Sequence, residues 1–413
     1  MIKRNSKGAL RRHFPIMTKL RDDQETIYAV EPLLPEEASK HRPALNDLAL
    51  ELATVSAELS AALPPAVRTP LSGLVRSMNC YYSNLIEGHD THPIDIERAL
   101  RQDFSADREK RNLQLEAVAH IAVQKWIDDG GLTEHPLHPE SLRELHRRFC
   151  TGLPEELLLQ KDPTGNPLPV IPGQFREGYV KVGRHVPPSP GAVPRLLAHM
   201  HRMYRMQGRL GSVLAVACAH HRLVWVHPFT DMNGRVARMV AHAMLRDTVR
   251  SEGLWSASRG LARNVVDYKA RLEAADAKRP GSADGRGALS EARLAEFAQF
   301  FLQCCIDQVS FMSGLMRPSE LRGRVVDWAR QQEARGGVLK GSDRILRAVL
   351  MEGEIERGTV PDMLGVSDRQ ARKVTARLLE LEALSSDSPR SSLRLNFPAT
   401  LASAWMPNLF PEK

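Results

Sequence analysis

The stretch HPFTDMNGRVAR, residues 227–238, places one histidine, one acid, an Asn-Gly pair and two arginines within twelve positions. An apolar segment, residues 213–226, precedes it, and a second helical pattern over residues 236–245 follows it. The polar residues between them predict a turn that leads into the N-terminus of a helix. Free N–H groups point outward there and the helix dipole favours negative charge, so this position suits a phosphate.

Each polar side chain of this stretch has a chemical role that fits a bound polyphosphate. Arg235 and Arg238 share one helix face and can clamp phosphate oxygens. Asp231 can hold a Mg²⁺ ion that keeps most of its waters and bridges the phosphates. His227 is the side chain here that can accept a proton near neutral pH. The residues expected to offer the loop and its main-chain N–H groups are Asp231, Met232, Asn233 and Gly234.

This array resembles the signature of the Fic (filamentation) family, whose members mostly transfer AMP from ATP to a protein hydroxyl. The family pattern is His-Pro-Phe, any residue, Asp or Glu, Gly-Asn-Gly-Arg, two variable residues and Arg. The matching residues are His227, Pro228, Phe229, Asp231, Asn233, Gly234, Arg235 and Arg238. The structural alternative is a Pro-Phe turn, a helix cap and two solvated arginines.

Met232 departs from the pattern, because the family has its first glycine at that position. If the position requires a positive φ, a methionine costs about 1–2 kcal/mol and distorts the amide cradle. If its dihedral angles are ordinary, only its backbone amide matters and the change is tolerated. We expect a working enzyme that is slower or altered.

The segment SNLIEG, residues 83–88, matches a second pattern of the family. Ser83 and Glu87 lie four apart on one helix face, and Gly88 can end the helix. Many Fic proteins carry an inhibitory helix with Ser or Thr, three residues, Glu, then Gly or Asn. The resemblance implies that Glu87 pairs with Arg238 and occupies the γ-phosphate site. A surface carboxylate at a helix terminus is the alternative.

The stretch PGQFREGYVKVGRHVPPSP, residues 172–190, predicts a short exposed hairpin, with β-prone residues 179–182, a turn at Gly183 and prolines that prevent a central strand. In Fic proteins a hairpin of this kind, the flap, docks the target segment by adding a strand to it. That role would fall on Val180, Lys181 and Val182. An ordinary surface ribbon is the alternative.

Two further groups of residues lie near the signature in the sequence, one on each side of it. Asn264 and Tyr268 resemble positions around the family's adenine pocket, although a core tyrosine is as good an interpretation of Tyr268. His220 and His221 are expected to be packing or solvent-facing residues rather than metal ligands, because neighbours point to different sides of a helix.

Composition limits the class of protein. The 413 residues carry a net charge of +8, and the sequence pI is about 9.3, which permits acidic or nucleic-acid partners without requiring them. No apolar run approaches a membrane span, and no secretion-signal core follows the basic N-terminus. The odd number of cysteines, five, contains no CxxC pair and indicates reduced thiols of a cytoplasmic protein.

The last eighty residues predict three helices, with Ser367 and Gln370 as a capping box on the third, and a β wing over residues 385–397. This order is typical of a winged helix-turn-helix. The basic residues of its third helix that can reach DNA are Arg369, Arg372, Lys373 and Arg377. A protein-binding module with a solvated basic helix is equally open.

The predicted fold is therefore mainly α: a Fic-type helical bundle with a short β-hairpin flap, followed by a small winged helix-turn-helix domain. We divide the chain into residues 1–92, an N-terminal arm and helices that include the inhibitory helix; residues 93–318, the Fic catalytic core; and residues 336–413, the winged helix-turn-helix-like domain.

The resemblance implies a protein adenylyltransferase that uses ATP and Mg²⁺, is autoinhibited by Glu87, and modifies a Ser, Thr or Tyr hydroxyl of a target protein or of itself. Transfer of another group is an alternative, although kinase relatives of the Doc type replace the second glycine of the turn, which is Gly234 here. A DNA-binding regulator with a Fic site impaired by Met232 is another. Removal of AMP by the same site and a homodimer also stay open.

Overall fold

The computed structural model describes residues 20–161, 165 and 167–410, and helices dominate this part of the chain. The basic arm before residue 20 lies outside the described residues. In chain order the helices are α1 (Arg42–Ala62), α2 (Pro65–Ile86), α3 (Pro93–Leu100), α4 (Arg108–Asp128), α5 (Pro139–Cys150), α6 (Val193–Arg205), α7 (Arg209–Val226), α8 (Asn233–Val249), α9 (Ala257–Arg263), α10 (Val265–Ala274), α11 (Glu291–Leu315), α12 (Pro318–Ala334), α13 (Ser342–Glu352), α14 (Val360–Leu364), α15 (Asp368–Glu380) and α16 (Ala399–Trp405).

The strands are short and antiparallel. They are β1 (Leu159–Lys161), β2 (Pro167–Pro169), β3 (Glu354–Ile355), β4 (Leu384–Ser385) and β5 (Leu393–Leu395). β1 and β2 form a hairpin in which Gln160 faces Leu168, and the other three form a sheet in the order β3-β5-β4. The predicted class, a mainly helical protein with a small antiparallel hairpin, is confirmed.

The position of the hairpin differs from the prediction. No strand forms over residues 179–182; a single bridge joins Val182 and His185, with N···O distances of 3.0 and 2.9 Å. Gly183, with φ +58°, lies in the turn between them. The prolines at 187, 188 and 190 cannot donate ladder hydrogen bonds, so the pairing does not extend. The paired strands of this region are β1 and β2, which the sequence did not predict.

The α7–α8 pair forms the centre of the helical core. α7 is apolar on nearly every side, as expected of a helix that is buried all round. It packs against α8, α11 and α1. The buried face of α1 is formed by residues at spacings of three and four, which are Leu45, Ala49, Leu52, Ser56 and Leu59. The turn between α7 and α8 is consequently anchored at both ends by buried helices.

Two helix boundaries are set by tertiary packing. α2 begins at Pro65 and continues through Pro70, so downstream packing outweighs the cost of about 3 kcal/mol for an internal proline. α9 and α10 are separated at Asn264, which is the C-cap of the first and the N-cap of the second.

The C-terminal region contains the expected order of helices. α13, α14 and α15 are followed by β4 and β5, Gly365 adopts φ +67° between α14 and α15, and the Ser367–Gln370 capping box is present. That this region is a winged helix-turn-helix domain stays a prediction.

The last described residues return to the helical core. The Tyr82 hydroxyl of α2 donates to the Leu409 carbonyl at 3.0 Å, and Arg259 of α9 donates to the Asn408 carbonyl at 2.7 Å. Phe410 lies edge-on to Tyr81, with ring centroids 5.9 Å apart. The C-terminal segment is therefore in direct contact with the helix that carries Ser83 and Glu87.

Two further findings concern the whole described chain. Its five cysteines are buried and free, which agrees with the expectation of reduced thiols. Within the described residues, every helix is too short or too polar to traverse a lipid bilayer.

Trp405 should be a main stabilising contact of the C-terminal segment. It is 1% exposed and packs edge-on against Trp328 and Phe397. We expect Trp405→Ala to lower the free energy of unfolding by about 3–5 kcal/mol, measured by urea denaturation. Met351→Ala, at a residue 62% exposed, is the control and should stay within about 0.5 kcal/mol. A loss below about 1 kcal/mol in the tryptophan variant would contradict the packing assigned to it.

Candidate active site

The turn between α7 and α8 is fixed by an aromatic side chain. Phe229 is fully buried and stacks on His146, with ring centroids 4.0 Å apart and planes at 1°. Phe175 also packs against Phe229, with ring centroids 5.4 Å apart. Phe229 therefore anchors the turn in the core and does not face a ligand.

Asn233 closes the turn through both polar atoms of its side chain. Its Oδ1 accepts from the Phe229 N–H at 2.9 Å, and its Nδ2 donates to the Phe229 carbonyl at 2.9 Å. Only its main-chain N–H is left for a phosphate. No carbonyl of α8 can accept from the first N–H groups of this helix, which belong to Asn233, Gly234 and Arg235. This end of the helix therefore keeps its capacity to bind an anion.

Met232 adopts the strained conformation that the sequence left open. It is the N-cap of α8 with φ +66° and ψ 8°, and it is 4% exposed. A left-handed backbone costs a residue with a Cβ roughly 1–2 kcal/mol, which glycine avoids. Its N–H donates to the Asp231 Oδ1 at 2.6 Å and is not free for a ligand.

His227 lies at the other end of the turn, also in a left-handed conformation, with φ 51°. Burial, and after it the positive charge of Arg176, lowers the pKa of His227 to about 4. The imidazole is therefore neutral at physiological pH and can accept a proton.

Asp231 is the carboxylate within the turn itself. Burial raises its pKa, while the Met232 N–H and the Gln160 side chain of β1 donate to its two oxygens. Among the described residues no cluster of three or more His, Cys, Asp or Glu forms a complete metal site. A single carboxylate beside a polyphosphate site still suits Mg²⁺, which commonly uses one or two carboxylates together with substrate phosphates.

The predicted contact between the SNLIEG segment, residues 83–88, and the signature is present. Arg238 Nη2 lies 2.5 Å from Glu87 Oε1, and the same guanidinium donates to the Ser83 hydroxyl at 2.8 Å and to its carbonyl at 3.1 Å. Arg238 is buried, and Glu87 stands at the C-cap of α2. Gly88, with φ +91°, ends the helix as predicted.

The Glu87 carboxylate also lies against the start of α8. A Cβ on Gly234 would lie 2.6 Å from Glu87 Oε1, so only glycine permits this approach. Burial opposes ionisation of Glu87, but the charge and hydrogen bond of Arg238, with Arg235 and Lys269, outweigh it and lower the pKa of Glu87. A carboxylate thus occupies the place where a helix N-terminus would receive a phosphate.

Arg235 has a partner that the sequence analysis missed. It forms an ion pair with Glu116, which is 1% exposed on α4, and it lies over the Phe149 ring at 5.5 Å. The other Glu116 oxygen is 3.0 Å from His89 Nδ1. No spacing rule connects these residues, because α4 and α8 are brought together only by tertiary packing.

These groups open onto one cavity of about 690 Å³, a volume typical of small-molecule sites. Its lining includes Glu87, Trp225, His227, Asp231, Met232, Asn233, Gly234, Arg235, Arg238, Tyr268 and Lys269. Sequence reasoning did not single out Trp225 and Lys269, nor further lining residues such as His185, Glu273 and Asp276.

Of the residues predicted around the adenine pocket and in the flap, some line this cavity and others do not. Tyr268 lines the cavity, but its hydroxyl is 2.8 Å from His220 Nε2 in a buried aromatic cluster, as a core tyrosine would be. Asn264 donates to the Gly260 carbonyl at 2.9 Å and is not among the described residues of the lining. Of the three flap residues, Val182 reaches the cavity, while Val180 and Lys181 lie beyond its described lining.

Comparison with known proteins gives a consistent result. The family model described as the Fic/DOC family matches residues 136–245, which include the turn and both arginines. Curated relatives named protein adenylyltransferase Fic, from Drosophila sechellia and Drosophila melanogaster, are 28% identical over 167 residues, 40% of this chain. The match spans 31% of the length of those relatives.

Solved structures support the fold. A Fic family protein from Desulfovibrio desulfuricans G20 superposes with a TM-score of 0.52 and 18% identity, over 88% of this chain and 98% of that one. The Fic-1 protein of C. elegans gives a TM-score of 0.50 at 18% identity, over 67% and 74% of the two chains.

The strain at Met232 can be measured with two variants that both remove its side chain beyond the Cβ. Met232→Ala keeps a Cβ at φ +66°, whereas Met232→Gly removes it. We expect the glycine variant to be more stable than the alanine variant by about 1 kcal/mol, from thermal or urea unfolding. An alanine variant as stable as the glycine variant, or more stable, would show that the position is not strained.

Proposed function

Because the chain carries a Fic/DOC domain, we propose that it is a protein adenylyltransferase, which moves AMP from ATP to a Ser, Thr or Tyr hydroxyl of a target protein or of itself. The observation that carries the proposal is that a neutral, half-buried imidazole and the anion-binding start of α8 open onto one cavity. That juxtaposition supplies a base and a phosphate cradle for a phosphoryl transfer.

In the proposed reaction the triphosphate lies on the first N–H groups of α8, with Arg235 and Arg238 on its oxygens. The target hydroxyl, held beside residues 180–182, loses its proton to His227. Its oxygen bonds to the α-phosphorus, the bond from that phosphorus to the bridging oxygen breaks, and pyrophosphate leaves. Positioning and charge neutralisation would account for most of the rate, as in other phosphoryl transfers.

Asp231 would hold Mg²⁺, which would neutralise phosphate charge when bound. Gln160 orients one carboxylate oxygen and the Met232 N–H orients the other. These two contacts fix the direction in which Asp231 presents its charge to the cavity.

We propose that Glu87 restrains this activity. It contacts Arg238 and lies against Gly234, so a γ-phosphate at the same place would meet a carboxylate and lose its guanidinium. A charge-assisted hydrogen bond contributes about 1.5–3 kcal/mol, which corresponds to roughly tenfold to a hundredfold in productive ATP binding.

Replacement of the inhibitory carboxylate should raise the transfer rate. We expect Glu87→Gly to accelerate AMP incorporation roughly tenfold or more, because Arg238 becomes free for ATP. Intact-mass measurement after incubation with ATP and Mg²⁺ should show the added mass of one AMP, and the double variant with His227→Ala should show none. Glu109→Gly, an exposed residue of α4, is the matched control and should not raise the rate.

The choice of label decides the reaction class. Label from α-labelled ATP on protein supports AMP transfer, whereas label from γ-labelled ATP alone would identify a kinase. An unchanged rate in Glu87→Gly, with activity present in the parent chain, would reject the restraint but not the transferase.

A second candidate function, duplex DNA binding, is favoured by one surface. Arg369, Arg372 and Lys373 are exposed along one side of α15. Arg377 is less free, because it donates to the Gly337 carbonyl and pairs with Glu380. A row of cations near the start of a helix can contact phosphates or base edges.

DNA binding is tested with substitutions, because removing the tail would uncover the contacts that Leu409 and Phe410 make with α2. The triple variant Arg369→Gln, Arg372→Gln, Lys373→Gln should weaken duplex binding and reduce the slope of log K against log salt by about 3. Fluorescence anisotropy with a labelled duplex gives both quantities. The control with the same charge change, Lys125→Gln, Arg293→Gln, Arg317→Gln, should retain the slope; equal losses in both variants would reject α15 as the DNA surface.

A further inference from the structure

Arg176, in the segment between β2 and α6, is a buried cation outside the signature. Arg176 is 2% exposed, and it forms no ion pair with a carboxylate among the described residues, although the charge of Glu25 acts on it. Burial lowers the pKa of its guanidinium to about 10, so it remains charged at physiological pH. A buried charge that is not directly paired is costly unless hydrogen bonds satisfy it.

Backbone carbonyls satisfy this guanidinium. Nε donates to the His227 carbonyl at 2.7 Å, and Nη1 donates to the Gly178 carbonyl at 3.1 Å. Nη2 donates to the Pro188 carbonyl at 2.5 Å and lies 3.4 Å from the Val226 carbonyl. The planar fork of arginine is what allows one side chain to reach carbonyls in several directions.

The four carbonyls belong to two different parts of the site. Val226 and His227 form the C-terminus of α7, where a positive charge is favoured by the helix dipole and by the unsatisfied carbonyls. Gly178 and Pro188 lie on either side of residues 180–182, the segment proposed to dock the target. One side chain therefore connects the histidine to both ends of the docking segment.

His227 needs such support. Its left-handed backbone, with φ 51°, is unfavourable for a residue with a Cβ and persists only where surrounding contacts fix it. The bond to its carbonyl is one contact, and the main-chain N–H of Arg176, which donates to the Pro228 carbonyl at 2.9 Å, is another.

We propose that Arg176 is a positioning residue of the transfer reaction, which holds His227 in its left-handed conformation and sets the docking segment at a fixed distance from it. This inference rests on the proposed function. Arg176 touches neither substrate nor reacting atoms; it acts through His227 and through the backbone of the docking segment.

The charge of Arg176 has a separate effect that can be measured. After burial, it is the next cause of the low pKa of His227. A neighbouring cation disfavours the imidazolium, so its removal should raise the pKa of His227 and shift the acidic limb of the pH–rate profile to higher pH.

The experiment compares Arg176→Gln and Arg176→Lys in the Glu87→Gly background, with α-labelled ATP and the chain itself as acceptor. Both variants should lower the rate at saturating ATP by about tenfold or more, because a small misplacement of a base is costly. The ATP concentration at half-maximal rate should change little, since Arg176 does not contact the nucleotide cradle. Arg176→Lys should not restore the transfer rate, because one ammonium group cannot reach all four carbonyls.

NMR titration of His227 completes the test without requiring any transfer. Arg176→Gln should raise the His227 pKa from about 4, whereas Arg176→Lys keeps the charge and should raise it less. Arg222→Gln, at a fully buried arginine that donates to the Pro32 and Ala275 carbonyls, is the control; it should lower stability but leave the His227 pKa unchanged.

The outcomes separate the two proposals. An unchanged rate and an unchanged His227 pKa in Arg176→Gln would overturn the positioning role. A shifted pKa with no transfer even in Glu87→Gly would support the contact with His227 and reject the proposed transfer of AMP to the chain itself. If Arg176→Gln does not fold, Arg176→Lys carries the rate test, and a normal rate there would overturn the inference.

Discussion

The site depends on one constraint: the chain must reverse direction between two buried helices within six residues, yet leave the start of α8 open. The Asn233 side chain replaces the backbone bonds that the turn lacks, since it both accepts from and donates to Phe229. The stack of Phe229 on His146 holds the same turn from below. Since these contacts are made on the core side, the outward N–H groups remain for an anion.

The electrostatics of the site follow from that open helix end. The position attracts negative charge whether it comes from a phosphate or from a protein carboxylate. In this structure Glu87 supplies it, and both signature arginines are paired with acids from other helices, Arg238 with Glu87 and Arg235 with Glu116. The two pairs differ: the Glu87 side chain is 32% exposed, whereas that of Glu116 is 1% exposed. Of the two acids, Glu87 is therefore the more accessible from the cavity.

Buried cations tie this site to its surroundings. Arg176 reaches the end of α7 and the segment around Gly183, and Arg259 reaches the C-terminal segment that also contacts Tyr82. In each case a guanidinium satisfies carbonyls that no helix or strand uses. The helix that carries Ser83 and Glu87 is therefore held on one side by Arg238 and on the other by the last described residues, 408–410.

The sequence by itself determined the local features, which are the turn into α8 and the helix ends at Gly88 and Ser367. These depend on short-range spacing, which a sequence displays directly. The pairing of Glu87 with Arg238, which are 151 residues apart, was expected from the family resemblance and not from spacing. Only the tertiary structure decided that Met232 has a positive φ and that residues 179–182 form no strand. It also decided that Glu116 contacts Arg235, that Gln160 contacts Asp231 and that Arg176 contacts His227. Each of these depends on which distant segments the packing of the core brings together, and no periodicity along the chain records that.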